Sequence, residues 1–330
     1  MLTVVTGASG LVGGNLAILL RQAGHEVRCT KRARSRLAHL DGFGLEWVDA
    51  DIEDRASLER AFAGAAVVFH CAARVSVRRR VTRELVRANV RGTQNVLRAA
   101  RTAGVKRVVH CSTVAARAVS TTGRPVTEDE PYNLGDFGLD DGYSRTKRSA
   151  ERVVQRAVAD GQDVVVVNPS YMFGPYDARP SSGEMILQVM RGTVPGTTLG
   201  VSNFVDVRDV CRGMIAAWEK GRTGQAYILG GYNMTYEAIL TLIASVARVP
   251  PPRLRLPLVV TRAMAAACDL AERLTGREGY LNSATLRYSG CTAFCFSSEK
   301  AMRELGYAVG PLEPSIADAI AWFRERKMIA

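Results

Sequence analysis

The chain has 330 residues, of which 47% are hydrophobic and 23% are charged. This length suits one large α/β domain, alone or with a smaller one attached, and the composition excludes a disordered chain. No basic segment precedes a long apolar one at the start, so no secretory signal is predicted. Arg262 and Asp269 interrupt the longest apolar stretch of the C-terminal half, so no membrane span is predicted either.

The seven cysteines have no repeated spacing and are interpreted as buried thiols in a reducing, cytoplasmic compartment. With four histidines and none near the closest cysteine pair, no metal site is predicted. The formal charge of +12 owes much to residues 74–91, where seven arginines face one acid, Glu84. This segment is either a solvated helix face or a docking surface for an anion. Nucleic acid is not an expected partner, because no aromatic-interleaved basic motif or helix-turn-helix pattern appears.

The N-terminal half alternates short apolar runs with amphipathic stretches. Such alternation predicts βαβ units and a doubly wound parallel sheet with helices on both faces, the Rossmann arrangement. The predicted strands are Leu2–Val5, Glu26–Thr30, Leu45–Val48, Ala66–His70, Val105–Cys111 and Val164–Val167. The predicted helices are Gly13–Ala23, Ser57–Ala63, Arg83–Ala103 and Ser144–Ala159.

After about residue 170 the pattern loosens into a stretch rich in Gly, Pro and Ser. The expected division is a nucleotide-binding domain over residues 1–170, rejoined by residues 204–231. Residues 171–203 and 232–330 are expected to form a smaller, C-terminal substrate-binding cap.

A glycine-rich loop, "TGASGLVG", stands between the first strand and the first helix. Gly7 permits a tight turn, Gly10 lets the backbone approach a pyrophosphate, and Gly13 allows close packing of the helix on the sheet. The helix N-terminus favours the negative charge of the phosphates. The strand–loop–helix setting therefore predicts a dinucleotide site.

The glycine spacing, with a threonine in front, resembles that of the extended short-chain dehydrogenase/reductase family. The resemblance continues in order through "DADIED", "VVFHCAA", "ANVRGTQNVL", "VVHCSTVAA", "YSRTK", "NPSYMFGP", "FVDVRDVCRG", "YILGG" and "FSSEKAMRELGY". It covers almost the whole chain and looks closest to the dihydroflavonol-reductase-like branch, which includes proteins labelled hopanoid-associated sugar epimerases. The cofactor contacts that the resemblance implies are Gly7, Ser9, Gly10, Leu11, Val12, Gly13, Asp51, Ile52, Ala72, Ala73, Asn89, Ser112, Pro169 and Ser170, together with the catalytic pair below.

In such sites the residue at the end of the second strand contacts the adenosine ribose. A basic residue there favours binding of the 2′-phosphate of NADP. Here the strand runs into "KRARSR", with no acid before Asp41. The resemblance places Arg32 on the phosphate, and Arg36 is a second candidate. NADP(H) is therefore expected rather than NAD(H), which stays an alternative.

Tyr143 and Lys147 stand four residues apart in a predicted helix and so share a face. An ammonium beside a phenol is expected to lower the phenol's pKa of about 10 and make proton exchange easier. The resemblance adds a hydroxyl after the fifth strand and implies Thr113 as the third catalytic residue. His70 and His110 are expected to be satisfied core residues, and Asp206 and Asp209 to be structural.

These residues predict an oxidoreductase that reduces a ketone or aldehyde to an alcohol by hydride transfer. Two alternatives remain open: a nucleotide-sugar epimerase or dehydratase with tightly bound NAD, and a non-catalytic NADP-sensing regulator. The substrate is expected to be hydrophobic, and residues 74–91 are expected to attract a phosphate-bearing handle such as coenzyme A or a carrier-protein arm. The resemblance also implies a homodimer through helices 83–103 and 144–159.

Overall fold

The computed structural model of the chain describes residues 1–76, 79–275 and 282–329. Within these ranges the strands are β1 (Leu2–Thr6), β2 (Glu26–Lys31), β3 (Glu46–Asp49), β4 (Val67–His70), β5 (Arg107–Cys111), β6 (Val164–Pro169), β7 (Tyr171–Phe173), β8 (Val201–Asp206), β9 (Ala226–Leu229) and β10 (Tyr232–Thr235). The helices are α1 (Leu11–Gln22), α2 (Arg55–Phe62), α3 (Arg83–Leu85), α4 (Gly92–Thr102), α5 (Gly142–Ala159), α6 (Glu184–Met190), α7 (Val207–Lys220), α8 (Tyr236–Ala247), α9 (Leu258–Thr275), α10 (Ser283–Ser289), α11 (Glu299–Leu305) and α12 (Leu312–Glu325).

Seven of the described strands form one central sheet in the order β3-β2-β1-β4-β5-β6-β9. Every pairing in it is parallel. The predicted doubly wound α/β fold is therefore confirmed. The strand order reverses between β1 and β4, and such a reversal opens a crevice at the carboxyl ends of the strands.

Successive residues of the central strands are buried on opposite faces of the sheet. Val5, Phe69 and Val167 pack with α1, α7 and α11, whereas Val4 and Val68 pack with α2, α4 and α5. Burial on both faces explains why these strands are continuous apolar runs rather than alternating ones.

Two helices begin earlier than predicted because an aspartate caps each of them. Asp54 accepts hydrogen bonds from the backbone of Ala56 and Ser57 at the start of α2. Asp141 accepts one from the Ser144 N–H, at 2.7 Å, at the start of α5. The helix predicted over residues 83–103 is present, but residues 86–91 form a π-helical turn between α3 and α4.

A smaller sheet, in the order β10-β8-β7, lies beyond the carboxyl end of β6. Its apolar face packs against α6, α8 and α12 in a separate core that contains the stacked rings of Phe173 and Phe204. Asp206 caps α7 through the Arg208 N–H, and Asp209 accepts from the Gly310 N–H. Both aspartates are structural, as predicted.

None of the helices in the described ranges has the length and the apolar run that a membrane span requires.

Candidate active site

The loops that follow six parallel strands meet at one edge of the central sheet. Since parallel strands end at the same edge, residues far apart in sequence come together there. The predicted positions that lie in or beside these loops are residues 7–10, 32–36, 51–52, 72–73, 112–113 and 169–170. Leu11, Val12 and Gly13 continue from the first loop into α1.

The glycine loop allows the closest contact between α1 and the sheet. Gly7 has φ +71°, and a Cβ on it would lie 2.6 Å from the Ala72 nitrogen. A Cβ on Gly13 would lie 2.4 Å from the Gly7 oxygen. Any side chain at either position would push the helix or β4 away. The role predicted for Gly13 in close packing is thus visible in the contacts.

The first turn of α1 presents its backbone N–H groups without a competing side chain. Gly10 is the N-cap residue, no side chain caps the helix, and its first turn contains no acid. The first N–H groups of a helix lack partners within the helix and bind anions well. This end of α1 therefore suits the pyrophosphate of a dinucleotide.

Of the basic residues at and after the end of β2, one forms an ion pair within the chain and others do not. Lys31 forms an ion pair of 2.6 Å with Asp49 on β3. Arg32 and Arg36 are exposed, and neither has an ion-pair partner in the described part of the chain. Both guanidinium groups are thus available to bind an anion beside the end of β2.

Asn89, predicted to contact the cofactor, holds the loop after β4 through its side chain. Its side-chain oxygen accepts from the Arg74 N–H at 2.8 Å, and its amide donates to the Arg74 oxygen at 3.0 Å and to the Thr146 hydroxyl at 3.0 Å. Both N–H donors are therefore used within the protein. Asn89 contributes by fixing the chain that carries Ala72 and Ala73.

The three predicted catalytic side chains converge where α5 crosses the end of β5. The Thr113 side chain lies close enough to the Tyr143 phenol to lower the pKa of that phenol. Lys147 is only 2% exposed, and its ammonium donates to the Cys111 carbonyl oxygen at 2.7 Å. Lys147 lies about one helical turn after Tyr143, on the same side of α5.

The pKa of Tyr143 moves opposite to the predicted direction. Burial raises it above its ordinary value of 10, the electrostatic effects of Cys111 and Asp141 raise it further, and the nearby Thr113 side chain lowers it. Burial also lowers the pKa of Lys147. The predicted lowering of the phenol pKa by Lys147 is wrong, because burial is the largest cause of the shift and Lys147 is not among its causes. The phenol is therefore a protonated acid at neutral pH.

Two thiols lie near Lys147: Cys71 directly follows β4, and Cys111 ends β5. Their interaction raises the pKa of Cys71 and lowers that of Cys111. The positive charge of Lys147 also lowers the pKa of Cys111.

Glu151 connects several residues beneath the site by hydrogen bonds, and no sequence motif predicted this role. This buried carboxylate accepts from the Ser112 hydroxyl at 2.6 Å, from the Asn168 amide at 2.8 Å and from the Arg117 guanidinium. The Asn168 amide also donates to the Thr113 carbonyl oxygen at 2.9 Å. Glu151 follows Lys147 by four residues, so the spacing that pairs Tyr143 with Lys147 would have found it.

The two histidines on β4 and β5 differ in whether their ring nitrogens have hydrogen-bond partners. His70 is satisfied by the hydroxyls of Thr6, at 2.9 Å, and Thr93, at 3.1 Å. No described residue hydrogen-bonds to either ring nitrogen of the buried His110, so the prediction of a satisfied residue is wrong there. Burial lowers the pKa of His70 to about 3 and lowers that of His110 as well, so both rings are neutral.

A nicotinamide dinucleotide fits the residues at this edge. The glycine loop leaves a cradle that a Cβ would fill. At the end of β6, behind Pro169, the buried Ser170 hydroxyl has no partner among the described residues, so it is free to bind a ligand. Those same ranges hold no group of three His, Cys, Asp or Glu side chains that would suit a metal ion.

Several apolar residues around the smaller sheet belong to a buried core and not to an open pocket wall. Phe173 and Phe204 are fully buried in the core of the smaller sheet, and Met185 lies in the same core. Tyr232 is exposed, and Met172 is partly buried. The composition of a pocket wall could not be separated from core packing by residue type alone.

Comparison with known proteins gives a consistent group of relatives. Residues 3–230 match the model of the NAD dependent epimerase/dehydratase family. The chain is 34% identical over 325 residues to a protein of Synechocystis sp. named as a dihydroflavonol 4-reductase, covering 97% of this chain and 94% of that one. It is 36% identical over 335 residues to the sterol demethylase protein B of Methylococcus capsulatus, covering all of both chains.

Another relative and a solved structure extend the comparison. The chain is 34% identical over 330 residues to a 4-hydroxy-2-methyl-3-oxo-4-farnesyl-3,4-dihydroquinoline-1-oxide ketoreductase of Stigmatella aurantiaca, covering 93% of this chain and 92% of that one. The crystal structure of gox2253 superposes with a TM-score of 0.85 at 34% identity, covering 100% of this chain and 99% of that chain.

The buried cap of α5 predicts a pH-dependent stability. Burial raises the pKa of Asp141 from 3.8 to about 6. The folded protein then holds this proton more tightly than the unfolded chain, so ionisation removes stability as pH rises from about 4 to about 6. Asp141→Asn keeps a capping oxygen and removes the charge. Across that window the free energy of unfolding of the variant should rise by about 3 kcal/mol relative to the wild type.

Urea unfolding at several pH values measures this difference. Asp54→Asn is the matched control, because Asp54 caps α2 from an exposed position. The difference in unfolding free energy between this variant and the wild type should vary little with pH. A difference for Asp141→Asn that is flat between pH 4 and 7 would contradict the buried-carboxylate account.

The Glu151 network predicts strong coupling between two buried charges. Glu151→Gln leaves the Arg117 guanidinium without its full counter-charge and should cost about 3–5 kcal/mol of unfolding free energy. Arg117→Met in the same chain removes the stranded cation and should restore part of that loss. Urea unfolding of both single variants and the double variant measures the coupling, and strictly additive losses would contradict it.

Proposed function

Because the chain belongs to the NAD-dependent epimerase/dehydratase family, we propose that it is an NADP(H)-dependent oxidoreductase that interconverts a ketone or aldehyde with an alcohol. One observation carries the proposal. A protonated Tyr143 lies close to Thr113, on the helix that also carries the buried Lys147, at the sheet edge where the glycine loop also ends. This is the arrangement that proton exchange at a carbonyl oxygen requires.

In the reducing direction the protein supplies the proton. A bound nicotinamide cofactor supplies hydride to the carbonyl carbon. The Tyr143 phenol donates its proton to the carbonyl oxygen, and the Thr113 hydroxyl holds that oxygen by a hydrogen bond. In the oxidising direction Tyr143, as the phenolate, accepts the alcohol proton. The Tyr143 phenol is protonated at neutral pH, as proton donation in the reducing direction requires.

Lys147 has two roles in the proposed site. Its ammonium would hold the hydroxyls of the nicotinamide ribose, and its positive charge stabilises the phenolate that forms when Tyr143 loses its proton. The hydrogen bond to the Cys111 carbonyl fixes the amine for both roles, because the fixed amine needs no reorganisation when a ligand arrives.

The unpaired arginines after β2 support NADP(H) as the cofactor. A guanidinium matches the charge and the geometry of a phosphate. Arg32 would bind the 2′-phosphate, with Arg36 as a second contact. A reductase that draws on NADPH also fits this preference better than an epimerase, which returns its electrons to the same substrate and needs no net supply.

The names of the relatives support a ketone or a similar carbonyl compound of hydrophobic character as the substrate. They include a dihydroflavonol 4-reductase, a sterol demethylase protein and a ketoreductase. A phosphate-bearing handle bound by the arginine segment stays a prediction, and three arginines of that segment are already paired within the chain. These pairs are Arg74 with Glu84, Arg79 with Asp269, and Arg87 with Glu53. A homodimer through α4 and α5 is part of the proposal.

Tyr143→Phe should lower kcat/KM for carbonyl reduction by a factor of about 10²–10⁴, because the proton donor is removed. The assay follows NADPH absorbance with a panel that includes a dihydroflavonol and a sterol ketone. The Kd for NADPH, measured by fluorescence titration, should change little and serves as the control for folding.

Three other outcomes of this assay would contradict the proposal. Undiminished turnover in Tyr143→Phe would remove the role of the phenol. NADPH binding without turnover of any panel member would favour the regulator. NAD released on denaturation of the purified protein would favour the epimerase.

Arg32→Ser should raise the Kd for NADPH by about 10- to 100-fold and leave that for NADH nearly unchanged, because a charged hydrogen bond of about 1.5–3 kcal/mol is lost only with the 2′-phosphate. Arg60→Ser, an exposed arginine on α2, is the matched control and should alter neither value. Equal losses for both cofactors, or none, would argue against a phosphate contact at Arg32.

A further inference from the structure

The outer face of α9 is apolar and uncovered by any described element. Val259 is 77% exposed and Leu274 is 79% exposed. The side chains on this side recur at helical spacing, and all of them are exposed: Val259, Ala263, Ala266, Ala267, Leu270 and Leu274. Monomeric proteins rarely leave a continuous apolar stripe in water, so this one indicates an interaction surface.

The opposite side of α9 is anchored to the rest of the protein. Thr261 and Ala265 are buried, and α9 packs along α10. Asp269 accepts from the Arg287 guanidinium of α10 at 2.9 Å. The helix is thus held in place with its apolar side outward.

The arginine-rich segment of the sequence lies beside this helix. Arg79 forms an ion pair of 3.6 Å with Asp269 of α9. In the same segment Val75 and Val81 are exposed, so apolar side chains continue from the helix onto the segment. Arg78 lies outside the described residues. We call the combination of α9 with the described residues of 74–83 the α9 face.

Unpaired guanidinium groups border the α9 face. Exposed arginines that have no ion-pair partner in the described ranges are Arg80, Arg83, Arg253 and Arg262. Arg80 and Arg83 belong to the segment after β4, Arg253 precedes α9, and Arg262 stands in its first turns. The face therefore combines apolar side chains with free positive charge.

We propose that the α9 face docks on the surface of an anionic phospholipid bilayer. An amphipathic helix lying in the interface buries its apolar side among the acyl chains, while arginines bind the phosphate groups. A second copy of the chain fits less well, because self-association would bring the same unpaired arginines together. No described helix can span a membrane, so the contact is with the surface.

Flotation with lipid vesicles tests the proposal and requires no turnover, so its outcome does not depend on the proposed oxidoreductase activity. The full chain should bind vesicles of phosphatidylcholine mixed with phosphatidylglycerol. It should bind pure phosphatidylcholine weakly, and raised salt should weaken binding to the mixture. Excess coenzyme A should not displace the vesicles, because the site is a surface and not a nucleotide pocket.

Two pairs of substitutions distinguish the apolar from the charged contribution to vesicle binding. Val259→Glu with Leu274→Glu should abolish flotation, and both side chains are exposed enough for the fold to persist. Met302→Glu, on α11, is the control for an exposed apolar residue elsewhere. Arg80→Ser with Arg83→Ser should weaken binding about thirtyfold. The charge control is Arg60→Ser with Arg156→Ser, at helix ends on the opposite edge of the sheet.

Three results would overturn the proposal. The first is failure of the wild type to float with anionic vesicles. The second is equal flotation of the α9 variant and its control. The third is a fall in molecular mass in sedimentation equilibrium for the Val259→Glu/Leu274→Glu protein with flotation unchanged, which would assign the face to a second copy of the chain. Circular dichroism melting of every variant confirms that the fold is intact.

Discussion

The buried face of α5 is the constraint on which the site depends. Lys147 donates to the Cys111 carbonyl, and four residues later Glu151 accepts from Ser112 and Asn168. One helix is thereby tied to the ends of β5 and β6 by bonds that are shielded from water. Because these bonds lie where the dielectric is low, they hold the helix in register more firmly than surface contacts would. The position of Tyr143 follows from that register.

The central sheet could be predicted from the sequence because its signals are local. Valine runs, turn glycines and the spacing between them fix strands and helices without reference to distant partners. The boundaries of α2 and α5 were less accurate, since capping by Asp54 and Asp141 extends each helix by about two residues beyond its apolar pattern. The π-helical turn over residues 86–91 has no signal in the composition of that stretch.

The site was predictable as a set of residues but not as a set of interactions. The glycine loop was predicted from its strand–loop–helix setting, Tyr143 and Lys147 from their spacing, and Thr113 from a resemblance. Their positions at one edge follow from the parallel topology. The direction of the Tyr143 pKa was missed, because it depends on desolvation by neighbours that the sequence does not identify. The unsatisfied His110 and the indirect role of Asn89 were missed for the same reason.

The pairing of β9 with β6 has a consequence for synthesis of the chain. β6 contains four successive valines, and the strand that completes its outer edge comes only at Ala226–Leu229. While the ribosome adds the intervening residues, that valine strand exposes an unpaired edge of the kind that joins other chains. Emerging polypeptide is therefore most prone to aggregate in this interval, and a chain cut shortly after residue 170 would remain so.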